Sequence, residues 1–290
     1  MSTAPPTTPR VTIGVFDSGF GGLTVLRALL PLIPGAHYVY LGDTARLPYG
    51  AKSQATIARY AVESARLLVD QGAEMLVIAC NTATALALPE ITAAVPVPVV
   101  GVIEPAIHTA QIRTAQIPTV QTARDGHQTS EVLVLATQAT VQSHAYLLAS
   151  SRRDLRAIEK ACPLLVPLVE EGWIDHPVTR EVLRIYLTEA LETCSPATII
   201  LGCTHYPLIA PLIEQTLRDL DSKAVIIDSA TATARVAADV AASLNKPPQL
   251  VSQPATFECY ATDSVEKFAR LGSNFLGQTI PKVHLIDLGG

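Results

Sequence analysis

Two cysteines occupy matching surroundings in this chain. Cys80 ends the apolar run at the head of Met75–Ala85, MLVIACNTATA, and Cys203 ends the one in Thr198–Pro207, TIILGCTHYP. Each run is short and rich in β-branched residues, the kind a parallel sheet buries on both faces, and each is followed by residues that cap or open a helix. In open α/β sheets ligands bind at this carboxyl edge, where the next helix offers unpaired N–H groups and a partial positive charge. A thiol placed there is expected to be accessible and to have a depressed pKa. One such cysteine reads as a small buried hydrophobe. Two in a repeated context suit two similar α/β units, each contributing a thiol to a shared cleft.

The pairing narrows the chemistry. A thiol hydrolase or transferase needs one nucleophile and one base, and His205 could serve as that base, but the second cysteine is then unexplained. A metal site built from Cys80, Cys203 and His205 wants three or four fixed ligands and usually excludes an anion nest beside them, so no metal is expected. A reaction with two equivalent faces needs one proton-transfer group on each side of a planar intermediate. Inverting a carbon stereocentre by deprotonation is such a reaction.

The elements that position these thiols follow an α/β rhythm. Val11–Phe16 reads as a strand running into Asp17-Ser18-Gly19-Phe20-Gly21-Gly22, after which Leu23, Leu26, Leu29 and Leu30 keep helical spacing. A dinucleotide fingerprint starting at Gly19 fails at Thr24, and no G-x-x-x-x-G-K-[ST] occurs. The turn is either a helix cap or a backbone nest for a small anion such as a carboxylate, with Asp17 and Ser18 projecting into the site. His37–Gly42 is a second strand, and the polar loop after it is a plain turn or else presents Tyr49 and Gly50 as a hydroxyl and a backbone donor. A long amphipathic helix over 53–72 precedes the Cys80 strand, and Pro96–Val102 forms another strand closing into Ile103-Glu104-Pro105. Residues 111–130 are polar without periodicity and read as a surface loop. Then come strand Glu131–Ala136, a helix over 138–151, and the proline-broken run 161–172, where Glu170 ends a solvated loop or reaches the cleft. A helix over 177–192 leads to the Cys203 strand. Strand Lys223–Ile227, a helix to about 244, and strands near 256–260 and 283–286 close the chain.

Composition fits a globular protein acting on a small molecule. The chain has 290 residues, enough for about two domains, with 49% hydrophobic and only 16% charged content. A net charge of −5, with no basic run longer than Arg152–Arg153, argues against a nucleic-acid surface. Five cysteines without CxxC spacing indicate neither a disulfide framework nor a zinc knuckle and suit a reducing, cytoplasmic setting. Residues 1–10 lack an apolar core and read as a disordered tail, and no apolar run approaches membrane-spanning length. None of the six lysines lies in the motifs above, which leaves a pyridoxal Schiff base without a seat.

DSGFGGLTVLR at 17–27, YLGDTARLPYG at 40–50, ACNTATA at 79–85, GVIEP at 101–105, CPLLVPLVEEG at 162–172 and LGCTHYPL at 201–208 resemble, in order, the signatures of bacterial glutamate racemases. The resemblance implies two pseudo-symmetric open-sheet α/β domains with the active site in the cleft between them. The first would comprise 11–105 plus 225–290 and the second 106–224. It also implies cofactor-independent interconversion of L- and D-glutamate for peptidoglycan synthesis. By position, Cys80 and Cys203 match the paired acid/base thiols, with Asp17 assisting the first and Glu170 and His205 the second. The pairs Asp17-Ser18, Tyr49-Gly50, Asn81-Thr82 and Thr204-His205 match the substrate-holding groups. The partner so implied is glutamate, with no nucleic acid and no membrane, and a homodimer stays open. Aspartate racemase, another member of the superfamily, or a non-catalytic amino-acid-binding protein of the same fold are the competing readings, and the presence of both thiols argues for an enzyme.

Overall fold

The structure, a computed structural model, describes residues 11–117, 130–244 and 254–288. The expected tail at 1–10 and residues 118–129 of the expected loop lie outside them. Two parallel sheets organise the chain. The first begins with β1 (Thr12–Asp17), α1 (Leu23–Leu29), β2 (His37–Gly42), α2 (Gln54–Asp70), β3 (Met75–Ile78), α3 (Asn81–Ala94) and β4 (Val99–Gly101), with strand order β2-β1-β3-β4. The second is built from α4 (Ile103–Gln116), β5 (Ser130–Ala136), α5 (Gln138–Gln142), α6 (Ala145–Ser151), β6 (Leu155–Ala161), α7 (Leu165–Glu170), α8 (Pro177–Leu191), β7 (Thr198–Gly202), α9 (Ala210–Asp219) and β8 (Val225–Asp228), with strand order β6-β5-β7-β8. The two orders are the same, strand for strand, and β3 and β7, which carry the cysteines at their ends, hold equivalent places. The chain then returns through α10 (Ser229–Ser243), β9 (Thr256–Ala261), α11 (Val265–Leu276) and β10 (Val283–Leu285), which extend the first sheet beyond β2.

Every ladder among these strands is parallel, so each connection crosses over and helices cover the sheet faces. The periodicities explain the packing. Ile57, Ala61, Ala65 and Leu68 on α2 recur every three or four residues and are buried, and Ser53 caps the helix by accepting from Thr56 N at 3.4 Å. On α11 the buried Phe268, Leu271, Phe275 and Leu276 form one stripe, and the helix ends at Gly277 in the left-handed conformation that terminates helices. One continuous core joins both units: it runs from β1 and α1 through α10 and α11 to α8, α9 and β7. Two smaller cores fill the outer layers, one between α2, α3 and the first sheet, the other between α4, α6 and the second.

Several elements differ from the sequence reading. The polar loop expected from 111 begins instead inside α4, which continues to Gln116. Helix 138–151 is divided into α5 and α6 by His144, which takes the left-handed conformation. Strand β6 and helices α4 and α11 had no counterpart in the reading. The passage between sheets also falls elsewhere than 105/106 and 224/225: α4, from Ile103, packs on β7 and α6, and Val225–Asp228 pairs with β7 in the second sheet.

Candidate active site

At the end of β3 the chain turns directly into α3, with Cys80 as the capping residue. Its Sγ accepts from Ala83 N at 3.5 Å and lies 3.5 Å from Ser18 Oγ. Ser18 belongs to the glycine turn after β1, where Asp17 Oδ2 accepts from Gly19 N at 3.0 Å. The same turn touches the other cysteine's loop. A Cβ on Gly21 would lie 2.6 Å from His205 Cε1 and also collide with Thr204 Oγ1, and Thr24 Oγ1 donates to the Thr204 carbonyl at 3.1 Å. Glycine at position 21 is therefore required by the close approach of the two units.

After β7, Cys203 meets a turn rather than an α-helix. Its Sγ stands 3.8 Å from His205 Nδ1, which also lies 3.4 Å from Thr204 Oγ1, while His205 Nε2 is 3.1 Å from Glu170 Oε1 at the end of α7. The imidazole is walled by the rings of Phe20 and Phe275, with centroids 6.2 and 5.0 Å away. Burial alone would neutralise this histidine, yet hydrogen bonds to Cys203 and Glu170 outweigh it and raise its pKa to about 10. The pairing favours the charged form of the imidazole, which stands between the Cys203 sulfur and the Glu170 carboxyl group.

The Cys80 half has a different environment. A depressed pKa and an accessible thiol were expected there, but Cys80 is only 6% exposed and burial, reinforced by the Asp17 charge, pushes it up to about 12 despite the donors at Ser18 and Ala83. Burial also raises the pKa of Asp17, against the attraction of His205 and the Gly19 and Gly22 N–H groups. One helix N-terminus does not compensate for removing a thiolate from water.

Beside Cys203 lies a small void, too tight for a water molecule, lined by Ala79, Asn81, Cys203, Thr204 and Ser229 and not by Cys80. Thr82 bridges the units through Thr137 and Thr140 hydroxyls at 3.1 and 3.2 Å, and Tyr146 OH donates to Asn81 Oδ1 at 2.7 Å. Asp17, Ser18, Cys80, Asn81, Thr82, Glu170, Cys203, Thr204 and His205 thus converge. Tyr49 and Gly50 stand apart. The Tyr49 hydroxyl is donated to the buried carboxylate of Asp43 at 2.6 Å, which also accepts from Arg46 Nε and Thr262 Oγ1, and Gly50 is exposed with open space around it. The expected ligand hydroxyl is thereby engaged within the protein.

Sequence reasoning passed over Thr137, Thr140 and Tyr146. Thr137 was within reach of the argument, since it ends the apolar strand β5 and caps α5, accepting from Thr140 N, as an edge residue of an α/β sheet should. Among the described residues no group of three or more metal-binding side chains forms, and no helix is long and apolar enough to cross a membrane.

Comparison with known proteins points to one family. The sequence pattern of the Asp/Glu/Hydantoin racemase family matches residues 13–237. The glutamate racemase of Koribacter versatilis is 47% identical over 97% of this chain and 99% of its own. Among solved structures, glutamate racemase from Francisella tularensis in complex with D-glutamate superposes with a TM-score of 0.82 at 31% identity, covering 96% of this chain and 98% of that one. The Thermus thermophilus enzyme in complex with beta-chloro-D-alanine gives 0.78 at 40% identity over 97% and 99%.

Proposed function

The chain belongs to the Asp/Glu/Hydantoin racemase family, and from that membership we propose that it is a glutamate racemase that interconverts L- and D-glutamate by two thiols acting on opposite faces of the α-carbon. The observation that carries the reading is the placement of Cys80 and Cys203 at the ends of equivalent strands, with the Asp17–Gly22 turn touching both loops. A single nucleophile would leave one of these thiols without a task.

In the direction from L to D, Cys203 as thiolate takes the α-proton and Cys80 as thiol delivers one to the opposite face. The reverse reaction exchanges their roles. The imidazolium of His205, held by Glu170, supplies the positive charge that stabilises a Cys203 thiolate at 3.8 Å. On the other side Asp17 is the nearby carboxyl that accepts and returns the Cys80 proton between turnovers. The carbanion-like transition state gathers charge toward the α-carboxylate, which the backbone donors around Ser18, Asn81 and Thr204 stabilise. Both thiols are buried, so substrate enters when the units part, and their return excludes water and strengthens each of these contacts. Tyr49 then shapes the entrance loop through Asp43, and Gly50, being exposed, keeps its backbone donor for a ligand.

The reaction needs no redox or carbonyl chemistry, so purified protein should lose the optical rotation of L-glutamate without added cofactor and should keep this activity after hydroxylamine treatment and dialysis. Dependence on added pyridoxal phosphate would overturn the reading. D-glutamate made in this way would supply peptidoglycan synthesis in the cytoplasm, where reduced thiols persist. Residues 11–105 with 225–290, and 106–224, remain the proposed domains in outline, with the passages shifted to the start of α4 and the end of β8. A homodimer is tested by sedimentation.

A further inference from the structure

Tyr146 lies on α6 in the second unit and is fully buried, yet its hydroxyl reaches the first unit and donates to Asn81 Oδ1 at 2.7 Å. Asn81 immediately follows Cys80 and lines a small void together with Cys203 and Thr204. Burial pushes the phenol far above the usual tyrosine range, so this group is a donor at every working pH. A primary amide has one acceptor end and one donor end. Once the oxygen is held by Tyr146, the nitrogen is turned the other way, and among the described residues no hydrogen bond engages it.

We propose that Tyr146 is a positioning residue that orients the Asn81 amide so that its N–H donors, and not its oxygen, meet the carboxylate of the amino-acid substrate, and only when the two units are together. This rests on the reading that Asn81 holds a substrate carboxylate. An Asn81 oxygen turned into the cleft would instead repel that carboxylate, so the single 2.7 Å contact fixes the sign of the interaction. Because α6 and α3 belong to different units, the donor is presented at closure rather than before it.

The test is a mutant cycle read as separate kcat and KM values for both enantiomers. Tyr146→Phe removes one oxygen and keeps the buried ring. Loss of one oriented hydrogen bond corresponds to a KM rise of about 2- to 13-fold, with kcat within about twofold, since the bond is made to ground state and transition state alike. In an Asn81→Ala background the Tyr146→Phe change should add nothing. Asn81→Asp keeps the bond to Tyr146 but turns an acceptor on the substrate, and should raise KM more than Asn81→Ala does. If Asn81→Ala raises KM while Tyr146→Phe does not, or if the two effects are additive, Tyr146 does not act through Asn81 and the proposal fails alone. Should Asn81→Ala leave KM unchanged, the carboxylate-holding reading fails and takes the proposal with it.

Discussion

Replacing Glu170 by Gln removes the negative charge 3.1 Å from His205 Nε2 while keeping an oxygen able to accept the same hydrogen bond. The imidazole is raised from 6.5 to about 10 against a large burial penalty, by Cys203 and Glu170 together. A charge-assisted hydrogen bond is worth about 1.5–3 kcal/mol, and one pKa unit is about 1.4 kcal/mol, so losing the charge should lower the His205 pKa by roughly 1–2 units. The sign follows from the pairing: the carboxylate stabilises the charged form, and without it the imidazolium titrates away at lower pH. If that imidazolium supports a Cys203 thiolate, the alkaline limb of kcat/KM should move toward acid by the same roughly 1–2 units. The assay is the circular-dichroism signal of glutamate followed from pH 6 to about 11 for the parent and Glu170→Gln proteins. Glu170→Asp, which restores the charge at a longer reach, should recover part of the displacement. An alkaline limb that stays in place in Glu170→Gln would refute the coupling and leave Glu170 as a surface partner of no consequence for the thiol.

Gly21→Ala places a methyl 2.6 Å from His205 Cε1, and overpacking of this kind costs about 1–3 kcal/mol. Activity should fall by more than about tenfold as the Thr204–His205 loop is displaced, and a variant with parental turnover would show that the two units do not meet as described. Stability should decline in alkali, because burial raises Cys80, Cys162 and Cys259 to about 12 and His205 stands at about 10. Each folded-state pKa is above its unfolded value, so the thiol contributions are complete below about 8.5 and the histidine contribution below about 6.5, and each is lost as pH rises through the folded value. Urea midpoints at pH 7.5 and 10 measure this, and equal midpoints would contradict the burial of these groups. Tyr49→Phe should raise KM by severalfold with kcat little changed, since it frees the loop that carries Gly50 by cutting one bond to a buried carboxylate. An unaltered KM would show that the loop is held by Arg46 and Thr262 alone.

The equivalence of the cysteine strands was legible because both are central, continuously apolar and followed by capping residues, the strongest signal a parallel sheet leaves in sequence. Strand β6, LRAIEKA, escaped because it is the edge strand of its sheet and mixes charged with apolar residues. Helix α4 escaped because Pro105 reads as a stop, whereas in the first turn of a helix the missing N–H has no partner to lose. The split between α5 and α6 turns on the left-handed His144, whose conformation no periodicity announces. At the site, residue types indicated which side chains gather, but not their charge states. Cys80 had the helix N-terminus that lowers a thiol pKa, and the opposite shift arises from neighbours distant in sequence that exclude water. The same holds for Tyr49, whose hydroxyl is engaged by Asp43 in a cluster completed by Thr262, more than two hundred residues away.

The central claim is the division of labour between two thiols, and α-hydrogen exchange in D₂O tests it most directly. Followed by NMR for each enantiomer separately, Cys80→Ala should abolish racemisation yet let the remaining Cys203 wash the α-proton out of L-glutamate, and Cys203→Ala should show the mirror preference for D-glutamate. Near-normal racemisation by either single variant, or exchange of the same enantiomer by both, would contradict the account and leave a single-base site with one structural cysteine.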